Sequence, residues 1–170
     1  MKYDYVAIYE KNAERLKGKE KLLRFIRLFN KLATALFFVA YAVFVGVAVF
    51  KDYPAKQLIG ILGAPALCLF LVTVLRYAIN RPRPYSEQGA GITPLHEKKA
   101  LDKSFPSRHV ASAFVIATTL LPYAVWAGAP LLAIGFALAY IRFALGLHYP
   151  TDLVGGAVLG ILCGAVNFFL

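Results

Sequence analysis

The sequence predicts an all-α membrane protein, a bundle of five transmembrane helices preceded by an amphipathic interfacial helix. Three observations carry that expectation. Hydrophobic residues make up 59% of the 170-residue chain, well above the roughly 45–50% of a soluble domain, and the mean hydropathy is +0.62. Five apolar runs, residues 32–50, 58–75, 110–126, 131–147 and 153–170, approach the ~20 helical residues that cross a bilayer core. Those runs are too long and too uniformly apolar for barrel strands, and backbone groups in lipid must pair within their own segment, so they read as helices.

Residues 1–31 form a basic amphipathic segment ahead of a single transmembrane domain at 32–170. Leu16, Leu22, Leu23, Phe25, Ile26 and Phe29 are interleaved there with lysines and arginines, the pattern of a helix lying on the membrane surface or of a basic juxtamembrane tail. A signal peptide is not expected, because this segment is charged throughout and the first apolar run continues to spanning length. The chain carries 19 Lys and Arg against 9 Asp and Glu, a formal charge of +10. Nucleic acid is excluded as the reason, since the apolar content leaves no soluble domain to present a basic face. Anionic lipid headgroups and a phosphorylated substrate are the expected partners. Cys68 and Cys163 lie inside apolar runs without metal or redox spacing and read as small buried hydrophobes.

The second and third runs are joined by the longest polar stretch, residues 80–104, which holds Gly89, Gly91 and three prolines; long loops of this kind are often lids. In the last run Gly156, Gly160 and Gly164 recur every four residues, a smooth stripe that lets another helix approach closely. Packing within this chain is the expected use, and an oligomer is not indicated.

The polar residues gather at one membrane level. Arg76 ends the second run, Arg81 and Arg83 follow, "FPSRH" opens the third, and "RFALGLHYPTD" joins the fourth to the fifth. The opposite connections carry only Lys51, Asp52 and Lys56. Arg142 stands inside an apolar run, where an unpartnered charge costs about 2.5–3.5 kcal/mol at the bilayer centre, so an interior polar partner is expected. Pro106 and Pro150 precede apolar runs, the position where proline suits a first helical turn. Two helix N-termini would then aim partial positive charge at the same volume as the arginines, which suits a phosphate held by guanidinium groups and by Ser107.

Phosphate binding alone does not require His109, His148 and Asp152. A neutral imidazole nitrogen can attack phosphorus when its other nitrogen donates to a carboxylate. Asp152 can reach back one turn to His148, and His109 would protonate the departing oxygen. His96 reads as interfacial, and Arg81 as either snorkelling to headgroups or joining the site. Several arginines at one level would repel a cation, so neither a metal nor a cofactor is expected.

These blocks resemble the type-2 phosphatidic acid phosphatase superfamily, related to the vanadium haloperoxidases. Its first motif, a basic residue, six others, then Arg-Pro, is matched by Arg76, Arg83 and Pro84. The second, Pro-Ser-any-His, is matched by Pro106, Ser107, Arg108 and His109. The third, Arg, five residues, His, three residues, Asp, is matched by Arg142, His148 and Asp152. The resemblance covers residues 58–170. It implies His148 as nucleophile, Asp152 as its partner and His109 as acid, with Arg76, Arg83, Ser107, Arg108 and Arg142 on the phosphate. Arg76 stands where Lys is usual, Arg108 where Gly is common, and Ile141 where Ser often precedes the arginine.

The function so implied is metal-independent hydrolysis of a lipid phosphate or diphosphate through a phosphohistidine. Candidate substrates are undecaprenyl diphosphate, phosphatidylglycerol phosphate and phosphatidic acid. A lipid phosphotransferase and a non-catalytic lipid-binding membrane protein are the alternatives. The expected location is the bacterial plasma membrane. Nine Lys and Arg precede the first run and place the motif side in the cytoplasm by the positive-inside rule, whereas the resemblance implies the outer face; charges belonging to the site inflate that count, and the side stays open between the two.

Overall fold

Helix follows helix, with no strand, among the residues described by the computed structural model, 2–96 and 102–170, with side chains from residue 5 onward. The first helix, α1 (Lys2–Leu16), stops at Gly18, whose φ of +77° lies in the left-handed region that favours glycine. A second helix, α2 (Glu20–Phe50), then runs for 31 residues without interruption. The single amphipathic helix expected in the N-terminal segment is therefore divided. Its first part closes α1 and its second opens α2, which passes straight through residues 31 and 32. Leu23, Asn30, Phe37 and Phe44 of α2 are buried at seven-residue intervals, so one narrow stripe of this helix faces the bundle.

Helix α3 (Ala55–Ile79) ends at Asn80, whose φ of 41° makes a left-handed cap. After the long connection come α4 (Arg108–Leu120), α5 (Val125–Ala144) and α6 (Pro150–Ala165), the last continued by a 3-10 turn at Val166–Phe169. Among the described residues, four segments are long and apolar enough to cross a membrane: α2, α3, α5 and α6 with its extension. Their outer faces expose Phe38, Phe70, Phe136 and Leu162, the surface expected against acyl chains.

The expected span at 110–126 has different bounds. Helix α4 has 13 residues, about 20 Å at 1.5 Å per residue, and its chain turns at Leu121–Ala124. Pro122 has no N–H to extend the helix, and the Leu120 carbonyl instead accepts from the Tyr123 and Ala124 amides at 3.1 and 2.8 Å. Helix α4 touches α2, α3, α5 and α6, and every residue from Ala113 to Leu120 is buried. It is the core of the bundle. The expected glycine stripe does pack within the chain: a Cβ on Gly156 would lie 2.7 Å from the Ser107 carbonyl oxygen, and one on Gly160 would lie 2.6 Å from that of Ala111. Helices α4 and α6 are thus in near-backbone contact, which fixes the third and second motifs relative to each other.

The connection between α3 and α4 is tied down from several sides. The Tyr9 hydroxyl donates to the Thr93 carbonyl at 2.8 Å, Arg27 donates twice to the Leu95 carbonyl, and the Leu95 amide donates to the Leu145 carbonyl at 3.2 Å. Tyr5 and Tyr9 of α1 pack with Ile92 and Tyr149. Helix α1 therefore covers the turn between α5 and α6. Gly146 makes that turn with φ of +74°, and a Cβ there would meet the Tyr9 ring at 2.8 Å.

Candidate active site

Four elements deliver the motif residues to one end of the bundle: the last turn of α3, the connection after it, the N-terminus of α4, and the turn from α5 into α6. Pro150 is the first residue of α6, as expected. Pro106 is not helical; it lies one residue before the Ser107 cap of α4. The Ser107 amide donates to the Asp152 backbone carbonyl at 2.9 Å, so the N-termini of α4 and α6 are joined directly.

His148 is 1% exposed. Its Nδ1 lies 3.1 Å from the Ser104 carbonyl oxygen, 3.4 Å from the Ser104 hydroxyl and 3.5 Å from Asp152 Oδ2. Acceptors on that side place the ring proton on Nδ1 and leave the lone pair on Nε2. Nε2 faces Arg142 Nη2 at 3.4 Å. Burial lowers the His148 pKa to about 4, with Arg142 and Arg83 pushing the same way and the Asp152 contact opposing them, so the imidazole is neutral at physiological pH.

The carboxylate of Asp152 is fully buried and saturated. Its Oδ2 accepts from the Ser104 hydroxyl and, at 2.9 Å, from the Tyr149 amide, while Oδ1 accepts from Arg81 Nη1 at 2.9 Å. The pairing of Asp152 with His148 expected from their spacing is present, but the Ser104 carbonyl is the nearer acceptor of the ring proton. Arg81 belongs to the site: besides Asp152 it donates to Thr151 at 2.7 Å and stacks over the Tyr149 ring at 4.1 Å.

Cations surround the Nε2 face. Arg142 is 1% exposed, and its Nη1 donates to Asn30 Oδ1 at 3.2 Å. Arg83 donates to the carbonyls of Asp102 and Leu147, and Arg76 to that of Pro106 at 3.1 Å. The three guanidinium groups repel one another electrostatically. The Ser107 hydroxyl and Arg142 Nε are buried donors without a hydrogen-bond partner. Unpaired buried donors amid like charges are costly, and each is a group that an oxyanion could satisfy.

Two further expected members open helix α4. Arg108 is exposed, and its Nη2 donates to Thr73 of α3 at 3.4 Å. His109, half-buried, lines a cavity of about 130 Å³ with Arg108, Ser112, Thr34, Phe37 and Leu69. Ser104 and Asn30 were not legible as site residues. A serine in a polar connection carries no spacing signal, whereas Asn30 has one: it is the polar member of the seven-residue stripe of α2.

The sequence profile of the PAP2 superfamily matches residues 57–169. The chain belongs to this superfamily. It is 33% identical over 100 residues to the putative undecaprenyl-diphosphatase YbjG of Escherichia coli, an overlap covering 58% of this chain and 49% of that protein. With the undecaprenyl-diphosphatase BcrC of Bacillus subtilis it shares 32% over 110 residues, 64% of this chain and 54% of the relative. The chain thus spans about half the length of the relatives it matches. Among solved structures, LpxE of Aquifex aeolicus superposes with a TM-score of 0.58 at 28% identity, covering 87% of this chain and 94% of that one. PAP2 membership agrees with the three motifs and with the all-helical membrane bundle.

Proposed function

We propose that this PAP2 protein is a metal-independent lipid phosphatase working through a phosphohistidine at His148. The observation that carries the reading is the placement of His148, with Nδ1 held 3.1 Å from the Ser104 carbonyl and Nε2 turned to Arg142 at 3.4 Å. A phosphate arriving at this face would take Arg142 from the imidazole and leave the lone pair of Nε2 free to attack. Arg76, Arg83 and Arg142, with Ser107 and the N-terminus of α4, carry the equatorial oxygens.

Attack by Nε2 forms the N–P bond as the P–O bond to the lipid breaks, and His109 gives the departing oxygen its proton. Asp152 and Ser104 support the charge that develops on the ring. Water, deprotonated by His109, then attacks phosphorus; the N–P bond breaks, its electron pair returns to Nε2, and inorganic phosphate leaves. On a diphosphate the leaving group is the lipid monophosphate. The cationic lining disfavours a metal ion at the same place.

Undecaprenyl diphosphate is the first substrate to test, because two relatives bear that activity in their names; phosphatidylglycerol phosphate and phosphatidic acid complete the panel. The experiment is phosphate release from each lipid in detergent with a chelator present. Release that survives intact in His148→Ala overturns the mechanism, and phosphate found on an added lipid or sugar hydroxyl replaces hydrolysis by phosphotransfer. We also place the protein in the bacterial plasma membrane with the site at the outer face. Labelling of single cysteines introduced between residues 86 and 96 by an impermeant reagent on intact cells tests the side.

A further inference from the structure

Arg142 is the most deeply buried cation of the site, and besides the His148 ring it has a side-chain acceptor from outside the matched region. Helix α2 delivers Asn30, 9% exposed, so that its Oδ1 accepts from Arg142 Nη1 at 3.2 Å. A guanidinium offers only donors, so the amide must present its oxygen. The helix is well anchored there: Leu23 and Phe37 are buried one heptad on either side, and the Thr34 hydroxyl donates to the Asn30 carbonyl at 2.8 Å. On the matched side the chain neighbours of the arginine are Ile141 and Phe143, which offer no side-chain acceptor. Among the described residues no carboxylate lies within ion-pair distance of Arg142.

We infer that Asn30 is a positioning residue of the phosphate site: through Arg142 it fixes the guanidinium opposite His148 Nε2 while leaving its charge uncancelled, so that α2 completes the PAP2 site from outside the matched residues. The chemistry of the acceptor is the point. A carboxylate at this position would hold the arginine at least as firmly, through a charge-assisted bond, but would neutralise the cation that the phosphate needs. A neutral amide orients Arg142 and spends none of its charge. This inference rests on the phosphatase reading above.

The test compares Asn30→Asp, Asn30→Gln and Asn30→Ala in the full chain in detergent, using inorganic phosphate as the probe. Phosphate affinity is measured directly by calorimetry, alongside kcat, KM and the melting temperature. Asn30→Asp is expected to keep the wild-type melting temperature but to bind phosphate at least tenfold more weakly, with KM rising more than kcat falls. Asn30→Gln, which retains a neutral oxygen, is expected to recover phosphate affinity relative to Asn30→Ala. If Asn30→Ala does not fold, the contrast between Asp and Gln decides. Equal phosphate affinity and KM in wild type and Asn30→Asp overturns the inference and reduces Asn30 to packing. A wild-type protein that neither binds phosphate nor releases it from lipid fails differently: it removes the phosphatase reading itself.

Discussion

Arg142 and His148 face each other across 3.4 Å, Nη2 to Nε2, each 1% exposed. The buried guanidinium, with its Nε unpartnered, carries a charge that a bound anion would compensate. Lysine cannot both reach Asn30 and grip two phosphate oxygens, because it offers a point charge in place of a planar fork. Arg142→Lys is expected to lower kcat/KM roughly ten- to hundredfold, about 1.4–2.7 kcal/mol of transition-state stabilisation. Steady-state kinetics on the best lipid of the panel read this out; unchanged kcat/KM removes Arg142 from the phosphate site.

Ser104 and Asp152 separate two kinds of support for the same ring. Ser104→Ala deletes a hydroxyl bonded to Asp152 but keeps the backbone carbonyl that meets His148 Nδ1. Its expected loss in kcat is about tenfold, the scale of one hydrogen bond to a charged group, at unchanged KM. Asp152→Asn removes the charge that balances Arg81 and supports the developing imidazolium, and should cost roughly a thousandfold or more. The order of the two losses is the check. A larger loss in Ser104→Ala than in Asp152→Asn contradicts this division of roles.

Burial holds the His148 pKa at about 4 against the ordinary 6.5. Between those values the unfolded chain takes up a proton that the folded site refuses, so stability falls as pH drops through this window and is fully regained above it. The contribution is roughly 3 kcal/mol at the acid end. Carboxylates titrate over the same range, so the measurement is a comparison. Melting temperature should decline from pH 6.5 to pH 4 more steeply in the wild type than in His148→Gln, whose amide has no proton to gain. Parallel declines mean that the imidazole is not desolvated.

The contact between α4 and α6 offers a mechanical test. A Cβ on Gly160 meets the Ala111 carbonyl oxygen at 2.6 Å and the Val115 amide nitrogen at 2.9 Å, both backbone atoms that cannot rotate away. Gly160→Leu should therefore destabilise by roughly 1–3 kcal/mol or more, visible as a lower melting temperature in detergent. Gly156→Ala presses on the Ser107 carbonyl at 2.7 Å and should reduce kcat/KM beyond what its melting temperature explains. A Gly156→Ala protein with wild-type kinetics separates the helix contact from the site.

From the sequence alone came the helical membrane class, the three motifs and the level at which they meet, because each rests on a local and expensive fact: an apolar run long enough to span, or a charge such as Arg142 inside one. What only the tertiary structure decided was relational. Helix α4 reads in sequence like a lipid-facing span, since a helix wrapped by other helices and one wrapped by acyl chains are equally apolar; its 13 residues and the burial of every one from Ala113 to Leu120 appear only once its neighbours surround it. Gly18 divides the basic segment by a backbone angle that composition does not encode. Asn30 and Ser104 joined the site for the same reason. A neutral polar side chain carries little cost until burial withdraws water from it, and its partner, 112 residues away for Asn30 and 48 for Ser104, is chosen by how the helices pack.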